Sequence, residues 1–348
     1  MSNAFNKLLS PKAKDYLPLH SNWETDIKPL MVTDQENIYK LLGSRKIGFY
    51  DTCAIMNHSK LSCHKEIALE LKSLFDCIII TATIIKELSS VDVDPAVPDN
   101  NPTSNIDGAE LELLRTIHEF GPTILYMKEE EIASFIHSKG IAYTAINKMM
   151  QNCLRSIFDV NDTVGAFLKN NEKIKNKFIT RNAPGTNTFV PDFFSTFRSI
   201  KAQGDSLGEL LIIALCNLWL PYQPPYLKII TDDRSCDVAL SKLVHQMNSM
   251  KMLKCTRLAS IMLLANIIRK TPGTNQVQLE KDLAFFANGG KLKVTYFDAR
   301  IGFPTPTYMT PSEFYNFVAD NPEIPILASN NKKTTGHCLN PYLGIFSE

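Results

Sequence analysis

The sequence predicts an α/β protein: a central, mostly parallel sheet with helices on both faces. Short apolar runs of strand type, rich in β-branched and aromatic residues, recur at 46–50, 77–82, 123–127 and 226–231. Each leads into a stretch with helical spacing, and buried strands alternating with helices are the pattern of a parallel sheet. Two of the runs end on acids, "KIGFYD" at Asp51 and "YLKIITDD" at Asp232 and Asp233. In such sheets ligands bind beyond the carboxyl ends of the strands, where the strand order reverses.

The elements follow in order. Residues 1–45 read as a polar helical extension, in which Thr33 or Asp34 caps "QENIYKLL" and Gly43 ends it. "KIGFY" (46–50) has no helical period and reads as the first strand. "SCHKEIALELKSLF" (62–75) aligns Ile67, Leu71 and Leu74 on one helical face. "CIIITA" (77–82) is a buried strand, and "TIIKELSS" (83–90) begins the next helix. The turn-rich stretch 91–108 is an exposed loop. A helix over 109–120, a third strand "TILYM" (123–127) and a helix over 128–140 closed by Gly140 come next.

Residues 141–203 show no strand pattern: a helical start, a charged run and the loop "NAPGTNTFVPD" suggest an inserted helical subdomain. "DSLGELLIIALCNLWL" (205–220) is a helix with a very apolar face, "YLKIIT" (226–231) a fourth strand, and 233–247 a helix. "MLKCT" (252–256) is a candidate fifth strand, followed by the helix "RLASIMLLANIIRK". The organisation expected is an N-terminal extension 1–45, an α/β domain 46–270 carrying the insertion 141–203, and a C-terminal extension 271–348 with the strand-like "KLKVTYFD".

Composition narrows the class. The chain has 348 residues, 44% hydrophobic and 21% charged, with a net charge of +1. Any basic surface is therefore local. The eight cysteines include no CxxC spacing and several lie in apolar runs, which points to free thiols in a reducing compartment. The N-terminus has no signal-peptide core, and "LLIIALCNLWL" and "LASIMLLANII" are about half of the ~20 residues a membrane span needs. A soluble cytoplasmic protein without membrane association is expected.

Asp51 and Asp232 end strands; Glu87 lies one helical turn after the second strand; Glu209 lies in the first turn of its helix, four residues after Asp205. Singly, each has an ordinary explanation. Asp at a strand end is often a helix cap, and Asp233 fits that role especially well; Asp205 and Glu209 resemble a capping pair; Glu87 alone reads as a solvated helix residue. Together they point to one sheet edge, where their repulsion would raise their pKa values unless a cation relieved it. Mg²⁺ or Mn²⁺ suits a few carboxylate ligands and can promote water attack on a phosphodiester.

The segments "GFYDTCAIM", "IIITATIIKEL", "GDSLGELLIIALC" and "LKIITDDRSCDVAL" resemble, in order and spacing, the acidic motifs of the PIN-domain family of metal-dependent ribonucleases, which includes VapC-like toxins. "TILYMKEEEIASF" falls where that fold has its third strand and following helix. The resemblance covers about 46–140 and 204–270. It implies a three-layer α/β/α PIN-like fold and a metal-dependent endoribonuclease using Mg²⁺ or Mn²⁺. Asp51, Glu87, Glu209 and Asp232 would be the catalytic, metal-binding acids, with Asp205 and Asp233 as auxiliary ligands. Thr52 would support the Asp51 carboxylate or hold substrate. The extensions and the insertion have no standard counterpart in that family, and Glu209 stands where Asp is common.

The substrate would be RNA, single-stranded or structured; a protein partner or antitoxin and a homodimer are in keeping with the resemblance. Lys173, Lys175 and Lys177, with Lys169 and Arg181, form a basic run that Phe167 and Phe178 could complement by stacking, although a solvated helix has the same composition. Arg234 lies beside the acids as a phosphate contact or a partner of Asp233. Two other readings stand beside the nuclease. One is a catalytically inactive PIN-like module that binds RNA or protein. The other is a haloacid-dehalogenase-like phosphatase, whose first motif needs a second Asp where this chain has Cys53.

Overall fold

The computed structural model describes residues 23–88, 106–157, 168, 170–200, 207–219, 226–233, 236, 240 and 255–327. Elements below are numbered among these residues. Its centre is a parallel sheet of β1 (Lys46–Tyr50), β2 (Cys77–Thr81), β3 (Thr123–Met127), β4 (Tyr226–Ile230) and β5 (Cys255–Leu258), in the order β3-β2-β1-β4-β5. β1 pairs with β2 through Phe49 opposite Ile79 and with β4 through Phe49 opposite Ile229. Ile47–Tyr50 of β1 and all of β2 are buried, as continuous apolar runs in a two-sided sheet require. The α/β architecture expected from the sequence is present.

Two groups of helices cover the sheet, as a three-layer arrangement requires. In the first, α2 (Thr52–His58) and α3 (His64–Leu74) pack with α5 (Gly108–Phe120) and α11 (Ser260–Lys270). The second contains α1 (Gln35–Leu42), α6 (Glu129–Ser138), α7 (Tyr143–Ile157), α9 (Phe189–Ile200) and α10 (Leu207–Leu218). α4 (Ala82–Leu88) follows β2, and the short α8 (Glu172–Lys175) continues as a π-helical turn, Asn176–Thr180. Asp34 caps α1 by accepting from the Asn37 N–H at 2.9 Å, and Gly43 follows its last turn. Beneath β1, Phe49 meets Trp219 edge-on at 5.8 Å between ring centres, and both are fully buried. Burial of side chains of this size contributes about 1.5–3 kcal/mol each.

Two elements differ from expectation. α9 begins inside a stretch that reads as a loop: Pro191 falls in its first turn, where proline costs no hydrogen bond, and Phe189, Phe193 and Phe197 are buried on one face. β5 lies at Cys255–Leu258, so Arg257, which reads as helical, is a strand residue.

The C-terminal segment forms α12 (Gln276–Phe285), α13 (Pro311–Asp320) and an antiparallel sheet of β6 (Leu292–Phe297), β7 (Pro304–Met309) and β8 (Ile326–Leu327) in the order β7-β6-β8. It docks on α11. The Ser62 N–H donates to Asp282 Oδ1 at 3.0 Å, Tyr315 Oη accepts from the Gly273 N–H at 2.8 Å, and Arg269 donates to the Ile324 carbonyl at 2.6 Å. Seven cysteines lie among the described residues; none of them forms a disulfide, and all but Cys53 are buried. No helix among the described residues is long and apolar enough to cross a membrane.

Candidate active site at the sheet switch point

The chain runs outward from β1 to β2 and β3, then returns to add β4 and β5 on the other side of β1. The order therefore reverses between β1 and β4. Asp51 follows β1 and Thr231 follows β4, and the Asp51 N–H donates to the Ile230 carbonyl at 3.0 Å. The strand pairing thus continues one residue beyond β1, which fixes where the Asp51 side chain emerges.

Asp51 is 1% exposed. Its Oδ2 accepts from the Cys53 thiol and from the Thr231 hydroxyl, each at 2.9 Å. The Thr52 hydroxyl donates to Glu87 Oε2 at 2.8 Å, and the Thr52 backbone supports the Asp51 carboxylate. Burial pushes the Asp51 carboxyl up to about 6; the Cys53, Thr231 and Thr52 contacts pull it down, while the charge on Glu87 adds to the rise. Burial and then the Asp51 charge push the Cys53 thiol far up, so it acts as a donor and not as an acid.

The carboxylates converge on Gly208 in the first turn of α10. A Cβ at that position would lie 3.2 Å from Glu87 Oε2 and 3.7 Å from Asp51 Oδ1. Ile84 Cδ1 would lie 3.4 Å away, so glycine permits a close approach of α10 to both carboxylates, and the next residue in sequence is Glu209. The Glu209 side chain, Asp205 and Arg234 lie outside the described residues, as do Phe167, Lys169 and most of the helix expected over 233–247. Among the described residues, no group of three or more Asp, Glu, His or Cys side chains is gathered to hold a metal ion. The Asp51–Glu87 pair nevertheless fits a hard divalent cation that keeps waters and substrate oxygens as its other ligands. Two carboxylates turned toward one point, one of them buried and hard to ionise, are stabilised by such a charge.

Asp232 does not join this pair through its carboxylate. Oδ1 accepts from the Ser260 N–H at 2.8 Å; Oδ2 accepts from Asn57 Nδ2 at 2.7 Å and from the Ser260 hydroxyl. Asp232 thus anchors the first turn of α11, the capping role usual for a strand-end aspartate, here exercised on a helix distant in sequence. Its backbone remains close to Asp51, since the Asp232 N–H meets Cys53 Sγ at 3.2 Å. Asp233 is half-buried, with its N–H donating to Thr231 Oγ1 at 3.1 Å.

Sequence reasoning missed a buried relay behind Asp232. His58 Nδ1 meets the Tyr50 hydroxyl, and His58 Nε2 lies 2.7 Å from Ser260 Oγ. The Ser260 hydroxyl proton goes to Asp232, so His58 Nε2 must donate to Ser260 and Nδ1 must accept from Tyr50. Every bond then points one way, from Tyr50 through His58 and Ser260 to Asp232. Burial holds the His58 pKa down at about 4, with partial opposition from Asp232. Burial, followed by the Asp232 charge, raises that of Tyr50 well above its ordinary value. The one local signal is the position of His58 at the end of the helix that Asp51 precedes.

The basic run is placed differently from expectation. Phe178 is buried against Phe189, Phe193 and Phe197 and offers no stacking face. Lys177 pairs with Asp192 at 2.6 Å and sits over the Phe178 ring. Lys173 and Lys175 are exposed on α8, whose continuation is tied to α7 by Gln151 and Arg155. Arg181 is exposed and its carbonyl accepts from Gln151.

α4 is positioned by a buried ion-pair cluster. Glu129 Oε1 accepts from the Thr83 N–H at 2.9 Å, and Arg198 bridges Glu129 and Glu130 from α9. This cluster fixes the start of the helix that carries Glu87. No protein-family model matches the chain, and no curated protein or solved structure is significantly similar to it.

Proposed function

We propose that the chain is a divalent-cation-dependent nuclease of PIN-like fold that hydrolyses RNA phosphodiester bonds in the cytoplasm. The observation that supports this most directly is the convergence of the Asp51 and Glu87 carboxylates on the Gly208 backbone, at the reversal point of a parallel sheet. Cys53 and Thr231 hold one Asp51 oxygen from behind, which turns the other toward Gly208. Thr52 holds Glu87 in the same register. A bound Mg²⁺ or Mn²⁺ would supply positive charge to the scissile phosphate and its leaving oxygen. Asp51 and Glu87 would hold that ion, with Glu209 as the neighbouring acid.

Cleavage of a labelled single-stranded RNA with Mn²⁺, against an EDTA control, tests the proposal. Asp51→Asn and Glu87→Gln should each lower the rate by at least a hundredfold while the melting temperature is retained or raised. Gly208→Ala places a methyl group against both carboxylates and should also abolish cleavage. Wild-type rates in Asp51→Asn would overturn the assignment.

A second reading, an RNA- or protein-binding module without catalysis, is favoured by one observation: both Asp232 oxygens are committed to Asn57 and Ser260. Under that reading RNA stays intact with Mn²⁺ and binds equally well without it. The phosphatase reading has little support, because a thiol pushed up by burial occupies the position of its general acid.

A further inference from the structure

We propose that the cleft between the parallel sheet and the C-terminal β6–β7 ribbon binds the backbone of single-stranded RNA and leads it to the carboxylate pair. The proposal rests on the nuclease reading for the fate of the RNA, but not for its binding. The cleft has a volume of about 310 Å³, and Asp232, Arg257, Phe286, Lys291, Lys293 and Tyr308 are among its lining residues. Three cations therefore surround one carboxylate, in a chain whose net charge is only +1. That carboxylate is engaged by Ser260 and Asn57. On the ribbon side, Glu313 feels the Lys291 charge, but its carboxylate is turned onto Thr310 at the start of its own helix. The cleft is locally cationic and complements a polyanion.

The ribbon presents its groups in a fixed geometry. Asn288 and Lys291 exchange backbone hydrogen bonds at 3.0 and 3.2 Å across Gly289 and Gly290. Both glycines have left-handed φ, 60° and 75°, the combination that a tight two-residue turn demands. This turn sets exposed Lys291 at the rim of the cleft. Lys293 lies directly across the ribbon from Tyr308, which is 63% exposed. A cation beside a solvent-facing aromatic ring is the pairing that holds a phosphate and stacks the adjacent base in single-stranded nucleic-acid sites.

The cleft also adjoins the acids. Arg257 on its wall donates to the Thr231 carbonyl at 3.2 Å, and the Thr231 hydroxyl donates to Asp51 at 2.9 Å. Thr231, which is fully buried, thus forms a shared wall between the cleft and the Asp51 carboxylate. The C-terminal extension supplies the ribbon, so it forms part of the substrate surface.

Fluorescence anisotropy of a short labelled single-stranded RNA on the full chain in EDTA, where no cleavage occurs, tests this. The double variant Lys291→Gln/Lys293→Gln should weaken binding at least tenfold and reduce the slope of log affinity against log salt by about 1.4, the value for two lost phosphate contacts. Tyr308→Ala should weaken binding roughly tenfold without changing that slope. All three positions lie on the ribbon and outside the helical core, and melting curves check that the variants fold.

Unchanged affinity in the lysine variant would overturn the inference. So would an absence of RNA binding by wild type at low salt, a preference for duplex RNA, or equal displacement by a polyanion without bases. If RNA binds in a lysine-dependent manner but is never cut with Mn²⁺, the inference stands and the nuclease reading fails. If wild type and the lysine variant bind and cut alike while Asp51→Asn is dead, the nuclease reading stands and the inference fails.

Discussion

Asp51 and His58 are both buried, but their protonation drives stability in opposite directions. The folded-state pKa of Asp51 is raised to about 6, so the folded protein holds a proton that the unfolded chain has released. Stability from this group falls as pH rises from about 4 through 6, by about 3 kcal/mol in total. His58 is lowered from 6.5 to about 4. Its contribution is complete above 6.5 and is lost as pH falls toward 4, again by about 3 kcal/mol. Denaturant titrations of metal-free protein at pH 7 and pH 4.5 separate the two. Asp51→Asn should be more stable than wild type at pH 7 and gain much less at pH 4.5. His58→Gln keeps a donor toward Ser260 and should remove most of the acid-side loss; an unaltered acid limb would show that His58 is not held neutral. At this scale Asp51 and Glu87 are legible in the sequence because each sits at a fixed offset from an apolar strand run. The Tyr50–His58–Ser260–Asp232 relay is not, since its middle link joins residues 202 positions apart. Asp232 illustrates the same limit: its position is evident, but the direction of its carboxylate depends on where α11 begins.

The strands were the most legible elements. Four of the five parallel strands lie where β-branched and aromatic runs place them, because a strand buried on both faces has no polar alternation to blur the signal. The fifth is displaced because Arg257 suits a helix, yet here satisfies its guanidinium on the Thr231 carbonyl from within a strand. α9 shows tertiary packing overriding turn-forming composition: "NAPGTNTFVPD" suggests a loop until the Phe189, Phe193 and Phe197 face finds Phe178. This region also yields an element-level prediction. Arg198 compensates fully buried Glu129, which holds the start of α4. Arg198→Met should destabilise the protein by about 3–5 kcal/mol, because it strands a buried charge. The denaturant midpoint measures this. Glu129→Gln/Arg198→Met removes both charges and should recover part of the loss; a double variant no better than the single would show that the pair is not the cause.

For the whole molecule, the sequence shows a parallel sheet and two extensions but not how the C-terminal extension closes on the sheet. That depends on contacts between distant residues: Asp282 with Ser62, Asn275 with Glu66, Ile324 with Arg269. Each is polar and unremarkable in local context. Together they bring the β6–β7 ribbon to the edge where Asp232 lies, so the cleft belongs to the assembled fold and to no single motif. The burial of the cysteines has a practical consequence. Cys63, Cys77, Cys153 and Cys216 are enclosed, and burial raises each thiol well above its ordinary pKa. Sulfhydryl reagents attack the thiolate, so the native protein should shield these sites until it opens. Timed maleimide labelling read by mass spectrometry would then turn the chain into its own unfolding clock. Rapid modification of Cys153 or Cys216 under native conditions would contradict the packing described here, whereas modification that tracks denaturant would allow each variant above to be ranked without an added probe.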